Sequence, residues 1–159
     1  MRTVMIAVAM AAVGTAAHGQ TSDWVLVDAN DEMVIAYDQG RISQQGSNRV
    51  VWALKLYGSV QTTPKGEEYH YAVERVAIDC VEDRFSLRAF SVYRRGLGRP
   101  VEDYDVFSTR GDSWNYAVPP SFAHSLVSMV CSSEKQESFG ITSPVEFEGL
   151  MRGFLDEPD

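Results

Sequence analysis

The chain has 159 residues, 45% of them hydrophobic and 23% charged, with 12 Gly, 6 Pro and 2 Cys. This composition excludes a disordered, collagenous or disulfide-dense protein and points to one globular domain. Asp and Glu outnumber Lys and Arg by 22 to 14, and the net charge of -8 excludes a general nucleic-acid binder, which needs a positive field to displace counterions from phosphates.

The first element is expected to be removed. Met1-Arg2, an uncharged and mostly apolar run over 3–17, and the small and polar residues of His18-Gly19-Gln20 read as a signal peptide over 1–19, with cleavage after Ala17 or Gly19. The run is shorter than the roughly 20 apolar residues that cross a bilayer. It ends in no Cys for a lipid anchor, and no second stretch is long enough to span. The expected mature chain is a single domain over 20–159, exported to the periplasm, the outer surface or the medium. Export changes how the two cysteines read: in an oxidising compartment Cys80 and Cys131 are expected to form a disulfide. A zinc site is excluded, because neither has a Cys or His at ligand spacing.

Short apolar runs over 24–28 and 33–38, parted by Ala29-Asn30-Asp31, predict an N-terminal hairpin. Over 49–57, Val50, Trp52, Leu54 and Leu56 alternate with Arg49, Val51, Ala53 and Lys55, the period of a strand. Val76, Ile78 and Cys80 alternate with Arg75, Ala77 and Asp79 in the same way, and a further strand is expected over 84–94. The link Val81-Glu82-Asp83 is hairpin length, so the sheet should be largely antiparallel. Helical signals come late. Pro119-Pro120 halts the preceding strand and offers Ser121 as an N-cap, after which Phe122, Leu126 and Val130 form a stripe flanked by Ala123, Val127 and Cys131. Ser143-Pro144-Val145-Glu146 combines a capping box with Pro at the first helical position, and Phe147, Leu150, Met151, Phe154 and Leu155 form the stripe expected to be buried. The expected fold is α+β: a largely antiparallel sheet of about six strands, two C-terminal helices packed on it and one disulfide.

The order of landmarks then resembles the bacterial surface-adhesin protein E family. Its carriers are Trp24, Tyr37-Asp38, Val51-Trp52, Tyr57, Ile78-Asp79-Cys80, Tyr93 followed by Gly96, Trp114, and Val118-Pro119 with Ser121 leading to Val130-Cys131. The resemblance implies an antiparallel sheet with C-terminal helical packing and a Cys80 to Cys131 disulfide. It also implies binding of host extracellular-matrix and serum proteins, as in the family's best-known representative, an outer-membrane lipoprotein.

Two features are candidates for partner binding. Arg110-Gly111-Asp112 is the tripeptide that integrins read, and Gly-Asp is equally ordinary turn chemistry. Arg84, Arg88 and Arg94 share strand parity and could line one face, ready to grip sulfate or carboxylate groups, or to pair with Glu74, Glu82 or Asp83. Catalytic residues are not expected. Gly111-Asp112-Ser113 lacks the Asp-x-x-His partner of GDS-type hydrolases, no G-x-S-x-G elbow occurs, and nothing marks a third group or an oxyanion hole for Ser121 and His124. The segment from Asp28 begins like a calcium loop but carries Met33 and Gln39 where Gly and Glu are required. The expectation is an exported, non-enzymatic binding protein without metal or cofactor; the alternative is a soluble periplasmic protein of the same fold that binds a small molecule or an envelope partner.

Overall fold

Two long antiparallel strands carry the architecture. In the computed structural model, which describes residues 21–111 and 113–156, the elements run β1 Trp24–Ala29, β2 Met33–Asp38, β3 Ser43–Gln45, β4 Asn48–Thr62, β5 Glu68–Asp79, β6 Arg84–Tyr93, β7 Glu102–Asp105, α1 Val106–Arg110, β8 Asn115–Tyr116, α2 Phe122–Cys131 and α3 Pro144–Asp156. The expected signal peptide lies outside the described residues. The strands form one antiparallel sheet in the order β1-β2-β4-β5-β6-β7, with β3 added to β4 and β8 to β6. The six strands of the main path answer to the expected number. The two extras, three and two residues long, are too short to show alternation.

Local chemistry closes the turns. Asn30 Oδ1 accepts the N–H groups of Glu32 (3.0 Å) and Met33 (2.8 Å), fixing the β1–β2 turn. Between β5 and β6, Asp79 Oδ1 accepts from Val81 (3.1 Å) and Glu82 (3.3 Å), and Asp83 takes the left-handed conformation (φ 48) that Asp tolerates better than most residues.

Each face of the sheet is covered in part by one helix. Val51, Ala53, Val76, Ile78 and Tyr37 pack with Leu126, Val127 and Val130 of α2, while Leu54, Leu56, Tyr71, Val73, Val34 and Ala36 pack with Phe147 and Met151 of α3. The even and odd positions of β4 therefore serve two different cores. Ser121 caps α2 by accepting the His124 N–H (3.1 Å), and Arg49 on β4 donates to the Val130 and Ser132 carbonyls at its other end. Next to this contact the Cys80–Cys131 disulfide (Cα–Cα 5.6 Å) ties α2 to the end of β5.

The second helix departs from the expected stripe. Its cap forms as read, Ser143 Oγ accepting the Glu146 N–H at 3.2 Å, and Phe147 and Met151 are buried. Leu150 and Phe154, however, are 49% and 67% exposed. A charged pair takes the buried place instead. Arg152 donates to Glu148 Oε1 (3.0 Å) and to the Tyr57 carbonyl on β4 (2.8 Å), and both side chains are nearly inaccessible. A buried guanidinium is tolerated only when paired and hydrogen-bonded, and holding Arg152 against the sheet backbone rotates Leu150 and Phe154 outward.

Two outcomes follow. Closing a loop of 51 residues should stabilise the fold by about 4 kcal/mol, so replacing Cys80 and Cys131 by Ser should lower the urea midpoint, and reductant should bring the unaltered protein down to it; equal midpoints would refute this. Phe147→Ala should cost about 3–5 kcal/mol, whereas Phe154→Ala should stay within about 0.5 kcal/mol. The reverse order in denaturant melts would show that α3 packs by its expected stripe after all.

Candidate functional site

One irregularity in β6 organises the surface of interest. Arg75 pairs with Ala89 and Val76 with Leu87, so Arg88 is an extra residue, a β-bulge. Before the bulge Phe85 and Leu87 face the α2 core; after it Tyr93 faces the α3 core. Parity thus inverts between Arg84 and Arg94. The expectation that Arg84, Arg88 and Arg94 line one face is corrected on this ground: Arg84 lies on the α3 face, and Arg94 sits past the opposite end of the strand. There it donates to Glu67 Oε2 (2.7 Å) and to the Glu68 carbonyl (3.2 Å).

Arg84 and Arg88 remain together around an aromatic ring. Trp114, which precedes β8, has the Arg84 guanidinium 5.1 Å and the Arg88 guanidinium 5.6 Å from its ring centroid, and Arg88 also lies 4.9 Å from the Phe107 ring of α1. Each such contact contributes about 0.5–2 kcal/mol, more as water is excluded. Arg84 is further held by Asp79 Oδ2, to which its Nε (3.1 Å) and Nη2 (2.9 Å) both donate. The partner is Asp79 and none of the three acids expected from sequence, Glu74, Glu82 or Asp83; Glu74 is taken by Lys55 (2.9 Å).

α3 covers the Leu54, Leu56, Tyr71 and Val73 half of its face and does not reach the other half, where Val50, Ala77 and Ser86 are nonetheless buried. Register places Trp52 beside Arg75 and Arg75 beside Ala89 there. Trp52 is 36% exposed. Among the described residues no hydrogen bond or ion pair engages the half-buried Arg75. A cleft of about 280 Å³ opens beside it, lined by Gln45, Arg75, Arg88, Ala89, Asp105 and Phe107. On the same face Ser86 is fully buried, its hydroxyl without a partner. The half-face beyond α3 thus gathers three guanidinium groups and three large aromatic rings in a chain whose net charge is negative. Sequence reading placed Arg75 on the polar side of β5 and gave it no role. Its one signal was a charge interrupting the positions Tyr71, Val73 and Ala77, which share its parity.

The other expected site residues fare differently. Gly111 ends α1 with a positive φ of 65 and donates its N–H to the Phe107 carbonyl (2.9 Å), so the tripeptide begins as a helix-ending turn between Phe107 and Trp114. Asp112, and the side chain of Arg110, lie outside the described residues. Ser121 Oγ is engaged as the α2 cap, and His124 Nδ1 lies 3.2 Å from the Ala117 carbonyl, so both are occupied structurally. Among the described residues no cluster of His, Cys, Asp or Glu could hold a metal, and no helix is long and apolar enough to cross a membrane.

Comparison with known families places these features. The surface-adhesin protein E model matches residues 24–132, from the first residue of β1 to just past α2, and the chain belongs to that family. Neither the curated proteins nor the solved structures contain a match to this chain.

The Asp79–Arg84 pair gives the site a pH dependence. The Arg84 hydrogen bonds above all, then the Val81 and Glu82 N–H groups, outweigh burial and hold the Asp79 carboxyl below its ordinary range. A carboxylate with a folded pKa below its unfolded value of about 3.9 stabilises the fold fully above that pH, and the contribution is lost as pH falls through the folded pKa. Asp79→Asn should therefore be less stable than the unaltered protein at pH 7, with the gap in urea midpoints closing as pH falls below about 4. A gap independent of pH would show that the charge of Asp79 contributes nothing.

Proposed function

We propose that this chain is an exported adhesin that works by binding rather than catalysis, and that its partners are host extracellular-matrix or serum proteins. Membership of the surface-adhesin protein E family supports the adhesin part of this reading. The observation that carries the site is the half of the face that α3 does not reach, where Arg75, Arg84 and Arg88 stand among Trp52, Phe107 and Trp114. Arg and Trp are the residue types that most often dominate binding energy at protein surfaces, because they combine large contact area with directed polar groups. Four of them, Trp52, Arg75, Arg84 and Arg88, rest on strands of a sheet pinned by a disulfide, so they are held before the partner arrives, which lowers the ordering cost of association. Gly111, which ends α1, lies in the chain between Phe107 and Trp114, and the Arg110-Gly111-Asp112 tripeptide belongs to the proposed contact; Arg94 is a separate contact at the far end of β6.

Export and display are tested in whole cells. Protease added to intact cells should remove the protein, and the purified protein should bind immobilised matrix or serum proteins, with the Arg84→Gln, Arg88→Gln double variant binding at least tenfold more weakly. Survival until the outer membrane is opened, together with absence of matrix binding, would overturn the adhesin reading in favour of a soluble periplasmic protein that binds a small molecule or an envelope partner.

A further inference from the structure

The cleft beside Arg75 has a chemistry narrower than general protein binding. We infer that it is a subsite for a single acidic sugar, a pyranose ring bearing one carboxylate, of the kind that terminates glycans on glycoproteins. The inference rests on the proposed function in one respect: the sugar would be the part of a glycosylated partner that this face reads.

Four observations converge. Arg75 is a half-buried guanidinium that no described residue engages, in a chain of net charge -8 with 22 carboxylate side chains. A guanidinium left without a protein partner is open to an external anion, and its fork meets a carboxylate in two parallel hydrogen bonds. Phe107, 50% exposed, lines the cleft, and Trp52, 36% exposed, is the cross-strand neighbour of Arg75. Aromatic faces carry negative quadrupole charge and attract the weakly positive C–H groups of a sugar ring. Gln45, exposed on β3 at the rim, offers both donor and acceptor to hydroxyl groups. The volume, about 280 Å³, lies at the small end of ligand pockets and suits one or two rings rather than a long chain.

Charge decides between one carboxylate and many. Charges farther apart than the Debye length, about 8 Å in physiological salt, are screened, so a single carboxylate against Arg75 feels mainly the guanidinium groups beside it, whereas a polyanion such as heparin runs on to Asp103 and Asp105 of the neighbouring β7. Asp105, at the same rim, accepts the Ser108 N–H on its Oδ1 as the cap of α1. Its negative charge further disfavours a second anionic group on the ligand.

The test titrates the purified protein with 3'-sialyllactose, lactose, a heparin octasaccharide and the capped dipeptide acetyl-Glu-Glu-amide, following amide and indole signals by NMR. Sialyllactose should bind, moving the Trp52 indole and Gln45 signals. Lactose, heparin and the dipeptide should each bind at least tenfold more weakly. Arg75→Gln should reduce sialyllactose affinity at least tenfold with unchanged thermal midpoint, whereas Arg99→Gln should leave it unaltered. Equal binding of lactose, tighter binding of heparin or of the dipeptide, no binding of sialyllactose, or full binding by Arg75→Gln would each overturn the inference. Should Arg75→Gln fail to fold, the signals displaced in the unaltered protein decide alone: displacement away from Trp52 and Gln45 sinks the site. Matrix binding that persists without any sugar binding overturns the sugar subsite and leaves the proposed function standing; loss of both overturns both.

Discussion

The β4–β5 pairing is the constraint from which the rest follows. β4 is apolar at both parities over Val50–Leu54, and its odd and even side chains lie in two separate cores. A sheet with two apolar faces must be covered twice. The chain meets this with one helix on each side, and each helix is fastened at one point to the sheet. α2 is held through Arg49 and the Cys80–Cys131 bridge, and α3 through the reach of Arg152 to the Tyr57 carbonyl.

Length then makes the coverage partial. β4 has 15 residues, which extended would run about 50 Å, whereas the 13 residues of α3 make a helix of about 20 Å. Neither helix can shield a whole face, and the two sit at opposite ends of the strands. On the α3 side the uncovered part is where Trp52, Arg75, Arg84 and Arg88 emerge. The candidate site is thus a direct consequence of strands outrunning helices. Its exposed aromatic rings are kept in solution by the guanidinium groups that border them.

The same half-face is tied to folding stability through its polar contacts. Asp79 closes the β5–β6 turn with two backbone hydrogen bonds and at the same time holds Arg84 toward Trp114. Beneath α3 a second polar group works differently. Glu148 and Arg152 pair in the interior, Arg95 comes within 3.9 Å of Glu148, and His70 accepts the Arg95 N–H (3.3 Å). Burial, with Arg152 and Arg95 nearby, holds the His70 imidazole below its ordinary pKa. The first group holds a surface in place; the second sets which side of α3 meets the sheet.

Much of the fold was legible in the amino-acid order because it depends on neighbours along the chain. The hairpins at Asn30 and at Val81-Glu82-Asp83, the alternation in β4, the Ser121 and Ser143 caps and the pairing of two cysteines all rest on spacings of a few residues or on having only one possible partner. The order of the landmark residues carried the family as well. Three things were decided only when the chain closed on itself. The bulge at Arg88 inverted parity within β6 and separated Arg94 from Arg84, which alternation cannot foresee because it assumes an unbroken ladder. The buried Glu148–Arg152 pair turned Leu150 and Phe154 outward, since a stripe of apolar residues does not say which charged neighbour finds a backbone carbonyl opposite. Arg75 became a candidate binding residue because register set it beside Trp52 and Ala89, on the half of the face that α3 is too short to reach. That is a property of cross-strand pairing and helix length together, and neither can be read from the residues around position 75.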